Sequence, residues 1–250
     1  MKQMKYWLKR QCLARWPRGW WALRGLLRGP LEPELKLIEQ LCDQNGTFVD
    51  VGANWGAFSF EALRLGRAVH SFEPQSSLAN VLRKGLGPLG ATVHHAAVSD
   101  VAGTTELRVP RNDIGYSTIE QTNKLENTAN LALGIATEQI KTLKLDDLAL
   151  AEVSLIKIDV EGHEQAVIAG AVGLLIRDKP SLIVETEDRH SPGTRARVCS
   201  FLAAHGYRAF AYRKGKLIPL GDQIGPSPRN LAFVHSQRVA TANASLFEQG

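Results

Sequence analysis

The sequence predicts an open α/β fold, a largely parallel sheet with helices on both faces. Three observations carry this. From about residue 47, short β-rich runs alternate with helical stretches, as strand–helix–strand units do. The run VSLIKIDV (153–160) is apolar enough to belong at the centre of a sheet. A chain of 250 residues, 44% hydrophobic and 22% charged, has the size and composition of one globular α/β domain.

The elements follow in order. TFVDV (47–51) reads as the first strand and GAFSFEALRL (56–65) as a helix that Gly66 caps. AVHSFEP (68–74) is a second strand stopped by Pro74, and SLANVLRKGL (77–86) a second helix. ATVHHAAVS (91–99) is a third strand, and DVAG turns into TTELRVP. After the fourth strand, at 153–160, EQAVIAGAVGLLIRD (164–178) reads as one helix closed by Pro180. SLIVETE (181–187) is a fifth strand and RARVCSFLAAHG (195–206) a helix; YRAFAYR and NLAFVH then form a closing hairpin. Residues 111–136 are polar and lack a period, so they read as a long loop or lid. The chain thus divides into a basic segment (1–30), a domain (31–236) and a small, polar, flexible tail (237–250).

Two motifs suggest chemistry. DVGANWG (50–56) stands between the first strand and first helix, where ligands bind in open parallel sheets. Gly52 and Gly56 remove side chains where a ligand approaches backbone N–H groups, and Asp50 accepts from an ammonium group or holds the turn. Glu73 ends the next strand, at the offset where a carboxylate commonly takes ribose hydroxyls. Asn54 and Ala57 replace the second and third glycines of a dinucleotide fingerprint, and no G-K-[ST] triplet exists. A mononucleoside such as S-adenosylmethionine is the better guess. The second motif is KIDVEGHE (157–164), which clusters Asp159, Glu161, His163 and Glu164 at the end of an apolar strand. An acidic helix start explains the two glutamates. It does not explain Asp159, which the pattern keeps within the strand.

With these motifs the chain resembles the FkbM-type S-adenosylmethionine-dependent methyltransferases. The resemblance rests on VDVGANWGAFS, FEP, AAVSDVAGTTEL, LKLDDL, LIKIDVEGHEQAVIAGA, PSLIVETE and the late NLAFV, in family order over roughly residues 45–235. It implies a class I methyltransferase fold, Rossmann-like, with a seven-stranded mostly parallel sheet and an antiparallel last strand. It also implies a methionine-binding turn over Asp50, Val51, Gly52, Ala53, Asn54 and Gly56. Glu73 and Pro74 would meet the ribose, Ala97 and Val98 the adenine, and Asp159 would border the site of methyl transfer. O-methylation of sugars and natural products is the activity implied, and the fold does not name the acceptor.

Methyl transfer needs aligned partners and, for a hydroxyl nucleophile, a proton acceptor. Asp159, Glu161 and His163 are the candidates, with Glu185 a further carboxylate facing the cleft. Asp159 is favoured as base or orienting group. Oxygen and imidazole ligands at these four residues would suit magnesium or manganese, although no metal is expected. Tyr116, Ser117, Thr118 and Asn230 are candidate acceptor contacts. The expected acceptor is a glycan hydroxyl, on a surface glycan or its lipid-linked precursor, or else a small molecule.

Charge is uneven. Residues 1–28 hold eight Lys and Arg, four tryptophans and no acidic residue, while the remainder has 22 Lys and Arg against 25 Asp and Glu. That segment suits the interface of an anionic membrane, packs on the domain or a partner subunit, or binds nucleic acid through its cations and stacking rings. The slightly acidic remainder argues against nucleic acid as substrate. Three scattered cysteines and no long apolar run point to a reduced, cytoplasmic setting.

Overall fold

The computed structural model describes Gly19 and residues 32–111, 114–125, 134–188, 192–221, 228–241 and 244–247. The expected membrane-facing segment, 1–28, lies almost entirely outside these residues. Among the described residues no helix is long and apolar enough to cross a membrane.

Eight strands form the main sheet. They are β1 (Thr47–Val51), β2 (Ala68–Phe72), β3 (Thr92–His94), β7 (Val153–Ile158), β8 (Ser181–Glu185), β9 (Tyr207–Arg213), β10 (Lys216–Pro219) and β11 (Asn230–His235). Their order is β10-β9-β11-β8-β7-β1-β2-β3. From β3 to β8 every pairing is parallel, and β11 runs antiparallel to both neighbours. This is the arrangement the resemblance implied, with β10 added at the edge as an eighth strand. The chain's hairpin is β9–β10, and β11 enters between β9 and β8, so YRAFAYR and NLAFVH are neighbours without being a hairpin.

All residues of β1, β7 and β8 are buried, as expected of strands covered on both faces. On one face lie α1 (Lys36–Leu41) and α2 (Ala57–Arg64), whose Leu37, Ile38, Leu41, Phe58 and Ala62 pack on Phe48, Leu155 and Ile183. After α3 (Ser76–Gly85), the other face is covered by α4 (Glu164–Ala169), α5 (Val172–Asp178) and α6 (Thr194–Ala204). These bring Val167, Ile168, Leu174, Leu175, Val198 and Leu202 onto Val49, Ile156 and Val184. The single helix expected over 164–178 is thus two. The break falls at Gly170, where a Cβ would sit 2.1 Å from the Ser99 carbonyl oxygen.

A second, three-stranded sheet differs most from expectation. The run ATVHHAAVS divides into β3 and β4 (Ala97–Val98), and β4 pairs with β6 (Ile135–Leu143) instead of continuing the main sheet. β5 (Gly103–Pro110) pairs antiparallel along its whole length with β6, from Ile135 to Thr142. The tail also differs. Ser236–Thr241 forms α7, Leu246 is buried, and the Phe247 ring meets Phe210 edge-on at 5.2 Å.

One row across the sheet centre is polar. Ser71, Asp50 and Lys157 are register partners on β2, β1 and β7, and all are buried. Asp50 Oδ2 accepts from the Ser59 amide at 3.1 Å and the Ser59 hydroxyl at 2.5 Å, and that hydroxyl also meets Ser71 Oγ at 2.7 Å. The row therefore ties α2 to the strands beneath it.

Immediately beyond β1, Gly52 has φ +76° and packs on the end of β7. A Cβ there would lie 1.9 Å from the Asp159 carbonyl oxygen. Gly66 has nearly the same φ, +75°, with open space around it. Gly66→Ala is expected to lose only the ~1–2 kcal/mol of a left-handed alanine. Gly52→Ala must in addition push two central strand ends apart, and is expected to lose ~1–3 kcal/mol more. Urea unfolding of the two variants measures the difference.

Candidate active site

The cleft opens where β1, β2 and β7 end, and its volume is about 320 Å³, within the range of small-molecule sites. Its floor is the glycine turn. The Gly52 and Ala53 amides both donate to the Phe72 carbonyl at 3.0 Å, which fastens the turn to β2. Asn54, at φ +51°, then donates its amide to Glu73 Oε2 at 2.8 Å. The Gln75 amide donates to Glu73 Oε1 at 2.9 Å. Glu73 is thus a fixed, buried carboxylate with one lone pair on each oxygen satisfied by backbone. Burial pushes its pKa up to about 7, against the lowering effect of those amides. Nearby, the Asn54 side-chain oxygen is buried with no hydrogen-bond partner. Phe72, Leu78, Ala97, Val98 and Leu107 supply an apolar wall.

The opposite end is charged. Asp159 follows β7 by one residue instead of lying within it, and its amide donates to the Val51 carbonyl at 3.1 Å. Its carboxylate meets Lys157 Nζ at 3.0 Å. Burial acts to raise the Asp159 pKa, but the Lys157 ammonium and a hydrogen bond from Glu185 hold it below the usual carboxylate range. Glu185 goes the other way. Burial, then the charges of Asp159 and Glu161, push its pKa up, so a proton shared by the pair favours Glu185, which donates to Asp159. Arg229 holds Glu185 at 2.5 Å and Glu187 at 2.7 Å. Lys157 remains a cation. Burial disfavours its charge, but Asp159, Asp50 and Glu32 outweigh that and raise its pKa.

Asp159, Glu161 and Glu185 each offer a carboxylate oxygen within 4.8 Å of the others. Two cations, Lys157 and Arg229, already stand against this group. His163, the expected imidazole ligand, is outside it. Its Nε2 meets Ser99 Oγ at 2.9 Å and its Nδ1 meets Glu120 Oε2 at 3.2 Å. Both ring nitrogens are therefore engaged, and the side chain is a strut between β4, the 159–163 turn and the segment above it.

That segment, 114–125, is part of the loop or lid expected over 111–136, of which some residues lie outside the described ones and Ile135 and Ala136 begin β6. It lines the cleft through Ile114, Gly115, Tyr116, Ser117, Thr118 and Ile119. Arg108 on β5 holds it by donating to the carbonyls of Glu120 at 2.5 Å and Asn123 at 2.7 Å. Thr118 Oγ1 and Asn123 Nδ2 both donate to the Glu161 carbonyl, at 3.0 and 2.7 Å. Glu161 itself has φ +56°, so its carbonyl is turned up toward the lid.

Of the residues singled out from the sequence, Val51, Gly52, Asn54, Glu73, Pro74, Ala97, Val98, Tyr116, Ser117, Asp159, Glu161 and His163 line the cleft. Asp50, Ala53, Gly56, Glu185 and Asn230 do not. Asp50 is turned into the layer beneath α2, where it settles the turn rather than meeting a ligand, and Gly56 starts α2 with φ +79°. Glu185 reaches the site only through Asp159 and Arg229. Asn230 pairs with Glu185 in the sheet, while its neighbour Arg229 reaches the cleft. Lys157, Arg229, Trp55 and the latch of Arg108, Glu120 and Asn123 were not singled out. Lys157 lay inside a motif already read for its acids. Arg229 and the latch carry no local signal, since their partners lie on other elements.

No curated protein matches the chain. Among solved structures, the methyltransferase FkbM from Methylobacillus flagellatus KT is 16% identical with a TM-score of 0.48, covering 81% of this chain and 50% of that one. The chain thus spans about half the length of that protein. A precorrin-6y C5,15-methyltransferase from Geobacter metallireducens GS-15 is 15% identical, TM-score 0.41, covering 79% and 82%. An rRNA methylase from Streptococcus thermophilus is 11% identical, TM-score 0.42, covering 84% and 97%. The methyltransferase FkbM domain itself matches residues 50–209, from the aspartate beneath the glycine turn into β9. That is well over half of the sequence, and the chain belongs to the FkbM methyltransferase family.

Proposed function

We propose that this methyltransferase uses S-adenosylmethionine to methylate a hydroxyl oxygen, on a sugar of a surface glycan or its lipid-linked precursor. The observation that carries the donor assignment is Glu73. Two backbone amides fix it, one of them from the glycine turn, and its remaining lone pairs suit a pair of vicinal ribose hydroxyls. Phe72, Ala97 and Val98 suit a purine ring. These residues fit the donor, which when bound supplies a methyl group activated by a positively charged sulfur.

Asp159 would meet the acceptor. Lys157 and protonated Glu185 fix its orientation and keep it ionised. A carboxylate held below its ordinary pKa is a weak base, so Asp159 orients the hydroxyl and offsets positive charge developing on its oxygen, taking the proton late. The lid residues Tyr116 and Ser117 limit access of water and offer hydroxyls to a polyhydroxylated acceptor. Lys157 and Arg229 balance the carboxylates, so the reading needs no metal ion.

Four experiments test this. Glu73→Gln is expected to weaken S-adenosylmethionine binding by ~1.5–3 kcal/mol, measured by calorimetry. The ionised Glu73 is the binding form and exists above its pKa of about 7. Native affinity should therefore fall as pH drops through about 7, and the Gln variant should lose that dependence. Asp159→Asn should leave donor binding measurable while turnover drops ~100-fold or more; near-normal S-adenosylhomocysteine release removes Asp159 from the chemistry. Glu185→Gln keeps a donor to Asp159 and should retain most turnover, whereas Glu185→Ala should not. Release of S-adenosylhomocysteine with sugar nucleotides and lipid-linked glycans, but not with small phenols, separates the sugar reading from the small-molecule one.

A further inference from the structure

One residue in the charged wall of the cleft carries two loads. Glu161 has φ +56° and is followed by Gly162 at φ +110°. A left-handed backbone is unfavourable for a residue with a Cβ and lasts only where neighbours hold it. Here the holders come from two directions. Glu164 Oε1, at the start of α4, accepts from the Gly162 amide at 3.0 Å and the Val160 amide at 3.4 Å. The Glu161 carbonyl accepts from Thr118 Oγ1 and Asn123 Nδ2 of the lid. That carbonyl and the Gly162 amide belong to one peptide unit, which α4 therefore grips by its N–H and the lid by its C=O.

Both ends of the turn have anchors outside the lid. The Asp159 amide donates to the Val51 carbonyl, and His163 Nε2 meets Ser99 Oγ. The carbonyl in the middle is held by lid side chains, so the middle is where lid position is felt.

The side chain of the same residue belongs to the acid cluster. Glu161 is buried, and its carboxylate offers an oxygen within 4.8 Å of those of Asp159 and Glu185. Burial, the Asp159 charge and the Glu161 charge together raise the Glu185 pKa. Backbone and side chain leave one Cα, so a turn that relaxes when the lid lifts carries the carboxylate with it.

We propose that Thr118 and Asn123 are positioning residues for methyl transfer, acting through the Glu161 carbonyl to hold the Glu161 carboxylate against Asp159. The proposal rests on the methyl-transfer reading and adds that the acceptor side of the cleft is assembled by lid closure, one of the ways in which lids complete catalytic sites. The donor side is tied elsewhere. Its glycine turn is fastened to the Phe72 carbonyl, and Glu73 to the Asn54 and Gln75 amides. Lid position therefore governs turnover and leaves donor affinity alone.

Hydrogen exchange and steady-state kinetics of the full-length protein test this. Thr118→Val removes the hydroxyl and keeps the shape. Asn123→Asp keeps the oxygen that accepts from the Leu125 amide and loses the N–H that reaches Glu161. Loss of one such bond is expected to speed exchange ~3–10-fold at the Val160 and Gly162 amides as well as in 114–125. Thr118→Ser, which keeps the hydroxyl, should exchange as the native protein does. Turnover of the Val and Asp variants should fall ~10–100-fold, with S-adenosylmethionine affinity by calorimetry unchanged. Faster exchange confined to 114–125, native turnover in either variant, or a loss of donor affinity that matches the loss of turnover each overturns the positioning role. If the native protein fails to bind S-adenosylmethionine, exchange alone decides the link between lid and Glu161, and the methyl-transfer reading falls separately.

Discussion

A single ammonium group at the sheet centre, on Lys157, organises the rest of this structure. It is buried, lies over the Phe58 ring at 5.2 Å, and has the carboxylates of Asp159, Asp50 and Glu32 around it. A lysine so placed without partners would shed its proton. Three carboxylates prevent that, and the same charge allows Asp50 to remain buried. Because the partners sit on different elements, the cation also fixes geometry. Asp50 anchors α2, Asp159 borders the cleft, and the Gly52 carbonyl, 3.4 Å from Nζ, belongs to the glycine turn. Removing one member of such a buried group costs ~3–5 kcal/mol, because the others are left unbalanced. Floor and charged wall of the cleft thus share one electrostatic foundation.

Around that foundation, neighbouring carboxyl groups are driven in opposite directions. Glu185 and Asp159 are hydrogen-bonded, yet burial and two neighbouring negative charges keep a proton on Glu185 while Lys157 keeps Asp159 bare. The pair therefore holds one proton between two acids, with its location settled by the adjacent cation. Glu73, farther off, is governed by burial opposed by two amide donors, and sits near neutrality. Three carboxyl groups along one edge thus occupy three protonation regimes, set by neighbours and not by residue type.

What the sequence revealed and what it hid follow the same division. The β1 strand, the glycine turn and Glu73 are legible because local rules govern them: an apolar run, a position of positive φ, and a carboxylate at a fixed offset. β6 was missed because IATEQIKTL buries only Ile140 and Thr142, too little apolar alternation to stand out from the polar segment before it. The break between α4 and α5 was missed because its cause, the close approach of Gly170 to Ser99, comes from elsewhere in the chain. Lys157 and Arg229 stood in plain view. A cation beside acids acquires a role only once the strand order brings those acids to it.

The small sheet has a separate consequence. Glycine turn and Glu73 rest on the main sheet, but the roof over the cleft hangs from β5 through Arg108 and touches the main body at the Glu161 carbonyl and at His163. Anchor and roof are thus mechanically separable. Insertions, deletions or wholesale exchange of the ribbon between β5 and β6 can recast the enclosed shape while the glycine turn and Glu73 stay intact. Such an architecture lets one ancestral catalyst diversify its clientele by remodelling an awning, with no need to rebuild the house.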